Sequence, residues 1–333
     1  MSGATQFLIT GGTGFIGRHV VRQLLDQGAG VRLFCRTPEK AQRLFGNRVG
    51  VVRGDLRDRD SVTAAVRGRD TIIHLGATFQ FGRRVRRINE ETNAGGTEYL
   101  LEAAERSGCQ RFVHVSSCGV LEGNGNPLTE RDFPGDVSER ESYRRSKWLA
   151  EMAALAAARR GLPVTIASPT SPLGEGDETP TPTGRIVQDY LRGRFPFSAR
   201  VGLNFIYVVD LAKGILAVTE RGRTGERYLL GHHNVRLDEF FRLLARITNL
   251  PAPRFALPQS AIALAGAIGE TVGSERVCWE TAAHARRRQW FDFSKAAGEL
   301  GWSARSSLEA TATEAVQWFQ GATKSNTGLV LTE

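Results

Sequence analysis

Thr10-Gly11-Gly12-Thr13-Gly14-Phe15-Ile16-Gly17 is the segment of this 333-residue sequence that most clearly indicates its fold. A short apolar run at 7–10 precedes it, and a segment with apolar residues at helical spacing, 15–27, begins within it. Its first glycine allows a tight turn, its second lets a phosphate approach the backbone, and its third lets helix and strand pack closely. Because this loop lies between a strand and a helix, we interpret it as a dinucleotide-binding loop rather than a plain turn.

On the C-terminal side of this loop, short apolar runs alternate with amphipathic segments as far as residue 168. This alternation is typical of a parallel sheet with helices on both faces. It predicts an α/β fold, a Rossmann-type doubly wound parallel sheet, as a nucleotide-binding domain over 1–168. The predicted strands are 7–10, 31–35, 49–53, 71–75, 112–115 and 164–167, and the predicted helices are 15–27, 38–44, 61–66, 91–107 and 142–160.

The alternation stops after residue 168, where prolines and glycines become frequent. Shorter elements follow, with strands predicted near 204–208 and 227–230 and helices near 185–191, 237–248 and 293–300. We predict a smaller C-terminal substrate-binding lobe over 169–320, above the sheet edge where ligands of such sheets bind. A flexible polar tail is predicted over 321–333.

Composition excludes several classes of protein. The sequence is 41% hydrophobic and 24% charged, which indicates a globular protein. The longest apolar run, 261–268, is far shorter than the roughly 20 residues of a membrane span, and no secretory signal is visible. Four widely spaced cysteines without a CxxC pair suit reduced thiols, so we expect a cytoplasmic protein with no metal site and no membrane partner.

The net charge of +9 raises the question of nucleic-acid binding. The densest basic cluster contains Arg83, Arg84, Arg86 and Arg87, but no aromatic platform repeats around it. A solvated basic surface, or one that attracts a charged small molecule, explains the cluster better. We therefore predict no nucleic-acid partner.

The residues at the end of the second strand indicate which of two dinucleotides, NAD or NADP, the protein would bind. An acidic residue at this position would accept hydrogen bonds from the adenosine ribose of NAD, whereas this sequence has Cys35 followed by Arg36, with Lys40 nearby. A guanidinium suits the 2′-phosphate of NADP(H), which we favour, with NAD possible. The predicted cofactor contacts are Gly11, Thr13, Gly14, Phe15, Ile16, Gly17, Arg36, Lys40, Asp55, Leu56, Leu75, Gly76, Ala77, Lys147, Pro169 and Thr170.

Candidate catalytic residues lie at the fifth strand and in the helix predicted at 142–160. Tyr143 and Lys147 are four residues apart, so they share one helix face, and Ser117 follows the strand. A neighbouring Lys147 cation and the positive charge of the nicotinamide favour the phenolate, so we expect them to bring the pKa of Tyr143 toward its working range. Ser117 would then position a carbonyl oxygen while Tyr143 exchanges its proton.

These motifs together resemble the extended short-chain dehydrogenase/reductases over nearly the whole chain. The resemblance includes TGGTGFIG at 10–17, GDLRD at 54–58, NAGGT at 93–97 and YxxxK at 143–147. Within that family, the sequence looks most like the dihydroflavonol-4-reductase branch and the hopanoid-associated sugar epimerases. The resemblance implies that Ser117, Tyr143 and Lys147 are catalytic and that Asn93 has a structural or supportive role.

The resemblance further implies that Arg36 marks an NADP user and that a homodimer pairs the helices at 91–107 and 142–160. Two loops depart from the family pattern, at 118–123 and 168–174, and both would line the substrate side. The substrate therefore does not transfer from a relative.

Three hypotheses follow for function. The first is an NADPH-dependent reductase of a ketone or aldehyde, or the reverse alcohol dehydrogenase. The second is a nucleotide-sugar epimerase or dehydratase with bound NAD, and the third is a non-catalytic dinucleotide-binding module. The substrate would be a small carbonyl, alcohol or sugar compound, with predicted contacts at Thr78, Phe79, Cys118, Arg185 and Phe205.

Overall fold

The computed structural model describes residues 6–123, 127–195, 197–199, 201–272, 279–286 and 290–327. In this part of the chain the strands are β1 (Gln6–Thr10), β2 (Gly30–Cys35), β3 (Gly50–Arg53), β4 (Thr71–His74), β5 (Arg111–Val115), β6 (Val164–Pro169), β7 (Ser171–Leu173), β8 (Phe197–Ala199), β9 (Gly202–Tyr207), β10 (Arg227–Leu230), β11 (His233–Arg236) and β12 (Phe255–Leu257).

The helices of the same residues are α1 (Phe15–Asp26), α2 (Pro38–Phe45), α3 (Arg59–Val66), α4 (Arg86–Asn89), α5 (Gly96–Ser107), α6 (Ser142–Arg159), α7 (Pro182–Leu191), α8 (Val208–Arg221), α9 (Leu237–Thr248), α10 (Gln259–Thr271), α11 (Trp279–Arg286), α12 (Ser294–Leu300) and α13 (Leu308–Thr327). A π-helical turn, Glu90–Gly95, joins α4 to α5.

The large sheet has the strand order β10-β6-β5-β4-β1-β2-β3, and every neighbouring pair is parallel. The order reverses between β1 and β4, which creates the crevice where ligands of doubly wound sheets bind. The predicted Rossmann-type sheet is confirmed, and its six predicted strands lie within two residues of the observed bounds.

Buried side chains cover both faces of this sheet. One face packs against α1, α2, α8 and α12, and the other against α3, α5 and α6. Strands covered on both faces are buried along their whole length, and every residue of Thr71–His74 and Val164–Pro169 is buried. The helices that carry the predicted site are therefore fixed against a rigid sheet.

The chain returns to the large sheet after the predicted boundary at residue 168. Strand β10 pairs with β6, and α8 packs against α1. The smaller lobe consists of the three-stranded sheet β11-β9-β7 with α7, α9 and α13, around a separate apolar core. Helix α13 continues to Thr327, so the beginning of the predicted tail is helical, while 328–333 lie outside the described residues.

Gly214 in α8 lies against the ring of Trp302, and this contact joins α8 to the chain that follows α12. A Cβ atom added at Gly214 would lie 2.7 Å from the indole, whereas one added at exposed Gly298 in α12 would meet nothing within 4 Å. We expect Gly214→Val to lower the free energy of unfolding by about 2 kcal/mol through overpacking.

The matched control Gly298→Val changes the same atoms in another helix, so it should stay within about 0.5 kcal/mol of the wild type. Urea unfolding of both variants measures the difference. Equal stabilities would show that the contact between α8 and Trp302 yields without cost.

Candidate active site

The glycine loop turns the chain from β1 into α1 through a very close backbone contact. Gly11 has φ +70°, and a Cβ atom there would lie 2.7 Å from the backbone between Leu75 and Gly76. A Cβ atom on Gly17 would collide with the carbonyl oxygen of Gly11. No side chain of the described residues caps the first turn of α1, so its N–H groups and positive dipole end are open to an anion such as a pyrophosphate.

A cavity of about 310 Å³ extends from this loop to the ends of β5 and β6. Most of the predicted site residues meet there. The predicted residues that line it are Gly11, Gly14, Phe15, Ile16, Gly17, Leu75, Ala77, Phe79, Ser117, Cys118, Tyr143, Lys147, Pro169 and Thr170.

The three candidate catalytic side chains lie on one wall of the cavity. The Tyr143 hydroxyl lies near the Ser117 side chain, and the Ser117 Oγ accepts a hydrogen bond from the backbone N–H of Gly119 at 3.1 Å. The Lys147 Nζ donates to the carbonyl oxygen of Val115 at 2.7 Å, at the end of β5. The wall therefore holds a phenol, a hydroxyl and an ammonium together.

Burial raises the pKa of Tyr143 in the protein alone, and the nearby Ser117 side chain opposes the rise only in part. The expectation of a lowered pKa also counts the positive charge of the nicotinamide, so it stays a prediction for the complex with the cofactor. Burial also lowers the pKa of Lys147 to about 8, against the favourable charge of Glu151. The Lys147 ammonium faces the Val115 carbonyl, so the charge expected to stabilise a phenolate is directed along the strand end.

Glu151 fixes α6 to the sheet two turns beyond Tyr143. Its carboxylate is fully buried and accepts hydrogen bonds from the guanidinium of Arg227 in β10 and from the hydroxyl of Ser116. Ser116 directly precedes Ser117, so one carboxylate joins α6, the end of β5 and the edge strand. Arg227 also stacks on Phe133, at 4.0 Å from the ring centroid.

Asn93 lies between the loop at Thr78 and α6, where its hydrogen bonds suit the structural role that the resemblance implies. It lies in the π-helical turn and donates to the Ser146 Oγ at 2.9 Å and to the Thr78 carbonyl at 3.0 Å. The Thr78 N–H donates back to the Asn93 side chain at 2.7 Å. Thr78 thus anchors the loop instead of lining the cavity, which corrects its predicted contact with substrate.

Aromatic rings cover the side of the cavity above Tyr143. Phe79 meets the Tyr143 ring edge-on at a centroid distance of 4.3 Å, and Phe81 lies 5.7 Å from it. Phe79 is exposed at the mouth of the cavity. An edge-to-face cluster of this kind offers an apolar surface to a substrate ring or chain.

Glu280 is a site residue that sequence reasoning missed. It is buried on α11, where its carboxylate accepts hydrogen bonds from the N–H groups of Tyr143 (2.8 Å), Arg144 (3.1 Å) and Gly82 (3.2 Å). It therefore satisfies the first turn of α6 and holds the loop that carries the aromatic rings. No local pattern marks it, because its partners lie far away in sequence.

Arg36 and Lys40, the two cations predicted near the 2′-phosphate, differ in whether they form an ion pair with a described residue. Arg36 is exposed and forms no ion pair with any described residue, while Lys40 pairs with Glu178 at 2.9 Å. The other oxygen of Glu178 binds buried Arg18 at 2.7 Å. Glu178 thus brings a carboxylate from the small lobe to cations of the nucleotide-binding sheet.

The remaining predicted contacts are placed less favourably. Asp55 is held by Arg57, which lowers the pKa of Asp55 to about 2, and Leu56 packs against two glycines. Phe205 is fully buried and stacked on Phe240 in the core of the small lobe, so its predicted substrate contact is wrong. Arg185 is exposed on α7, outside the cavity lining. Thr13, Arg36, Lys40, Asp55, Leu56 and Gly76 also lie outside that lining.

Cys118 lines the cavity as a neutral thiol. It is buried, and burial raises its pKa to about 12, so it lacks the thiolate character of a nucleophile. Among the described residues no three His, Cys, Asp or Glu side chains group closely enough to hold a metal ion. The described helices also include none long and apolar enough to cross a membrane.

Comparison with known proteins places the chain in a family. Residues 7–231 match the model of the NAD dependent epimerase/dehydratase family, and the chain belongs to that family. This is the extended short-chain dehydrogenase/reductase group that the motifs predict.

Individual relatives carry different names. A Synechocystis protein, provisionally named dihydroflavonol 4-reductase, is 34% identical, covering 94% of each chain. Sterol demethylase protein B of Methylococcus capsulatus is 33% identical over 75% of this chain and 77% of its own. A crystal structure described as a nucleoside-diphosphate-sugar epimerase from Pseudomonas aeruginosa has a TM-score of 0.80 at 29% identity, covering 96% and 98% of the two chains.

The pKa of Glu280 makes a prediction about stability. Burial, aided by Glu141, raises this pKa from 4.5 to about 7 despite three hydrogen bonds. The raised value favours the protonated form in the folded state, so this stability is fully present below pH 4.5 and is lost as the pH rises through about 7.

Glu280→Gln cannot titrate, so any cost of the altered hydrogen bonds is independent of pH. We expect the free energy of unfolding of the variant, relative to wild type, to rise by about 2 kcal/mol between about pH 5 and about pH 8. Urea unfolding at both pH values measures it. A constant difference would show that Glu280 has the same pKa in the folded and unfolded states.

Proposed function

We propose that the protein is an NADPH-dependent oxidoreductase that reduces a ketone or aldehyde, or oxidises the corresponding alcohol. The single observation that carries the proposal is that Tyr143, Ser117 and Lys147 line the same cavity that begins at the glycine loop. A dinucleotide-binding loop at one end of a cavity and a tyrosine that can donate a proton at the other suit hydride transfer to a carbonyl carbon.

The fit of the loop to a dinucleotide rests on its geometry. Gly11 and Gly17 remove the atoms that would block the turn, and the open first turn of α1 faces the cavity. When bound, the cofactor supplies the hydride. Lys147 would hold the nicotinamide ribose, since its Nζ lies at the end of β5 on the cavity wall.

In this mechanism the Tyr143 hydroxyl donates its proton to the carbonyl oxygen as the carbon is reduced. Ser117 donates a hydrogen bond to the same oxygen and keeps it within reach of Tyr143. Burial raises the pKa of Tyr143, so the group is protonated at neutral pH and suits the acid of a reduction. The reverse reaction requires the positive charges of Lys147 and the oxidised cofactor to stabilise the phenolate.

Tyr143→Phe tests the acid role directly. The ring and its contacts with Phe79 and Phe81 remain while the transferable proton is lost, so we expect kcat to fall at least about 100-fold with little change in the affinity for NADPH. Carbonyl-dependent NADPH oxidation and a fluorescence titration measure the two quantities. A variant with wild-type kcat would remove Tyr143 from the mechanism.

The preference for NADPH is supported by the cations at the end of β2. Cys35 supplies no carboxylate for the adenosine ribose, and the exposed guanidinium of Arg36 is available for a 2′-phosphate. Glu178 opposes this preference, because it neutralises Lys40 and Arg18. The two effects predict opposite consequences of mutation.

Arg36→Ala should weaken NADPH binding about tenfold and leave NADH binding unchanged, since only NADPH carries the phosphate. Glu178→Gln should strengthen NADPH binding relative to NADH by freeing Lys40. Arg43→Ala, which removes an exposed arginine further along α2, is the matched control. Equal loss of both nucleotides in the Arg36 variant would contradict an NADPH preference.

The second candidate is a nucleotide-sugar epimerase or dehydratase that retains NAD, and similarity to the Pseudomonas structure favours it. Identification of any nucleotide released when the purified protein is denatured separates the two. Tightly held NAD supports the epimerase, whereas exchangeable NADPH supports the reductase. Nucleotide binding without turnover on carbonyls or nucleotide sugars would support a non-catalytic module.

The substrate we propose is a small molecule with an apolar body beside its carbonyl or hydroxyl group. The exposed ring of Phe79 and the nearby Phe81 supply the apolar surface. The sterol named in the Methylococcus relative is a compound of that class, as is the flavonoid named in the Synechocystis relative.

We further propose a homodimer paired through α5 and α6 and a cytoplasmic location. The dimer rests on family resemblance, and light scattering measures it directly. Free thiols at Cys35, Cys109 and Cys118 suit a reducing compartment.

A further inference from the structure

The longest apolar run of the sequence, 261–268, forms the middle of α10 and is not used by the proposed reaction. Leu264 and Ile268 in this helix and Val272 directly after its last residue follow one another at intervals of four residues, with exposures of 63%, 55% and 71%. We name these three residues the α10 face. No charged residue occurs from 259 to 269.

More exposed apolar side chains come just before the helix. Phe255 and Leu257 belong to β12, which a single proline separates from α10. Phe255 is paired in register with Phe197 of β8, and both rings are exposed. Large apolar side chains scattered singly are ordinary on a protein surface, whereas a continuous row along a helix marks an interaction surface.

Unpaired arginines lie at both ends of this apolar segment. Arg254 precedes Phe255, and the backbone N–H of Arg83 donates to Glu270, at the end of α10, at 3.4 Å. Arg83, Arg84 and Arg254 are exposed, and none of their guanidinium groups forms an ion pair with a described carboxylate. We name these three residues the basic flank.

An exposed apolar helix face with a basic flank has the chemistry of a surface that enters the interface of an anionic membrane. The apolar side chains transfer to the acyl boundary, while the arginines meet lipid phosphates and carboxylates. The run is too short to span a bilayer, but a helix lying in the membrane surface needs only one apolar face. The apolar residues by themselves would suit any apolar partner. The basic flank adds a preference for negative charge, and an anionic lipid surface offers both properties together.

In place of the sequence-based expectation of no membrane partner, we propose that the α10 face and its basic flank dock the protein peripherally onto anionic lipid membranes. The docked surface would adjoin the cavity mouth, because α11 packs on α10 and carries Glu280, which binds the loop of Phe79 and Phe81. A lipid-soluble substrate could then reach the aromatic wall from the membrane surface.

The test is co-sedimentation of the full chain with two kinds of vesicle, phosphatidylcholine alone and phosphatidylcholine mixed with an equal amount of phosphatidylglycerol. We expect binding to the anionic vesicles only, weakening as salt is added. The double variants Leu264→Ser with Ile268→Ser, and Arg83→Gln with Arg84→Gln, should each weaken partitioning at least about tenfold.

Matched controls remove the same chemistry elsewhere. Leu250→Ser removes an exposed leucine after α9, and Arg43→Gln with Arg67→Gln removes two exposed arginines beside β2 and β3. These controls should bind anionic vesicles as the wild type does. Thermal unfolding and NADPH titration of every variant check that the fold is intact, so the docking result does not depend on the identity of the substrate.

Several results would overturn the proposal. Absence of binding to anionic vesicles at low salt would exclude docking. Binding that the leucine and isoleucine double variant retains would assign it to charge alone and leave the α10 face without a role. A concentration-dependent dimer, seen by light scattering and abolished by that variant, would make a second copy of the chain the partner of this face.

Discussion

The buried carboxylate of Glu151 is the interaction on which the candidate active site depends. It accepts from Arg227 of the edge strand and from Ser116 at the end of β5, while it lies on the same helix as Tyr143 and Lys147. Charged groups leave water at a high cost, and loss of one partner of such a pair costs about 3–5 kcal/mol. The three partners are therefore fixed relative to each other, and so is the distance between Ser117 and Tyr143.

Two further contacts complete this placement from the opposite end of α6. Asn93 ties the helix to the loop at Thr78, and Glu280 satisfies the backbone of its first turn. The position of α6 and its catalytic side chains is therefore fixed by the sheet, by the neighbouring π-helical turn and by the C-terminal part of the chain. Such support keeps catalytic groups in place without strain in the groups themselves.

The nucleotide-binding half could be predicted from sequence because its signals are local. The spacing of Gly11, Gly14 and Gly17, and apolar runs bounded by turns, depend on neighbours within a few residues. The smaller lobe is less predictable from sequence. Helix α8 is missing from the predicted elements, because its helical spacing follows a strand without a break. Phe205 is predicted to contact substrate, because sequence alone does not distinguish an aromatic residue in a core from one in a pocket. Glu280 and Glu178 were missed because each meets its partners only through the tertiary fold. The raised pKa of Tyr143 in the protein alone could not be foreseen for the same reason, since burial is a property of packing.

The return of the chain to the large sheet has a consequence for exchanging parts between relatives. Strand β10 covers the open edge of β6, and α8 covers apolar side chains of α1 and of the sheet. A fragment that ended after β6 would expose an unpaired edge and an apolar face together, which favours aggregation. A chimera designed to transplant substrate recognition should therefore keep 208–230 with the nucleotide-binding half and exchange the segments on either side of it. The segments that must stay together in a chimera are therefore discontinuous along the chain, even though each half has its own core.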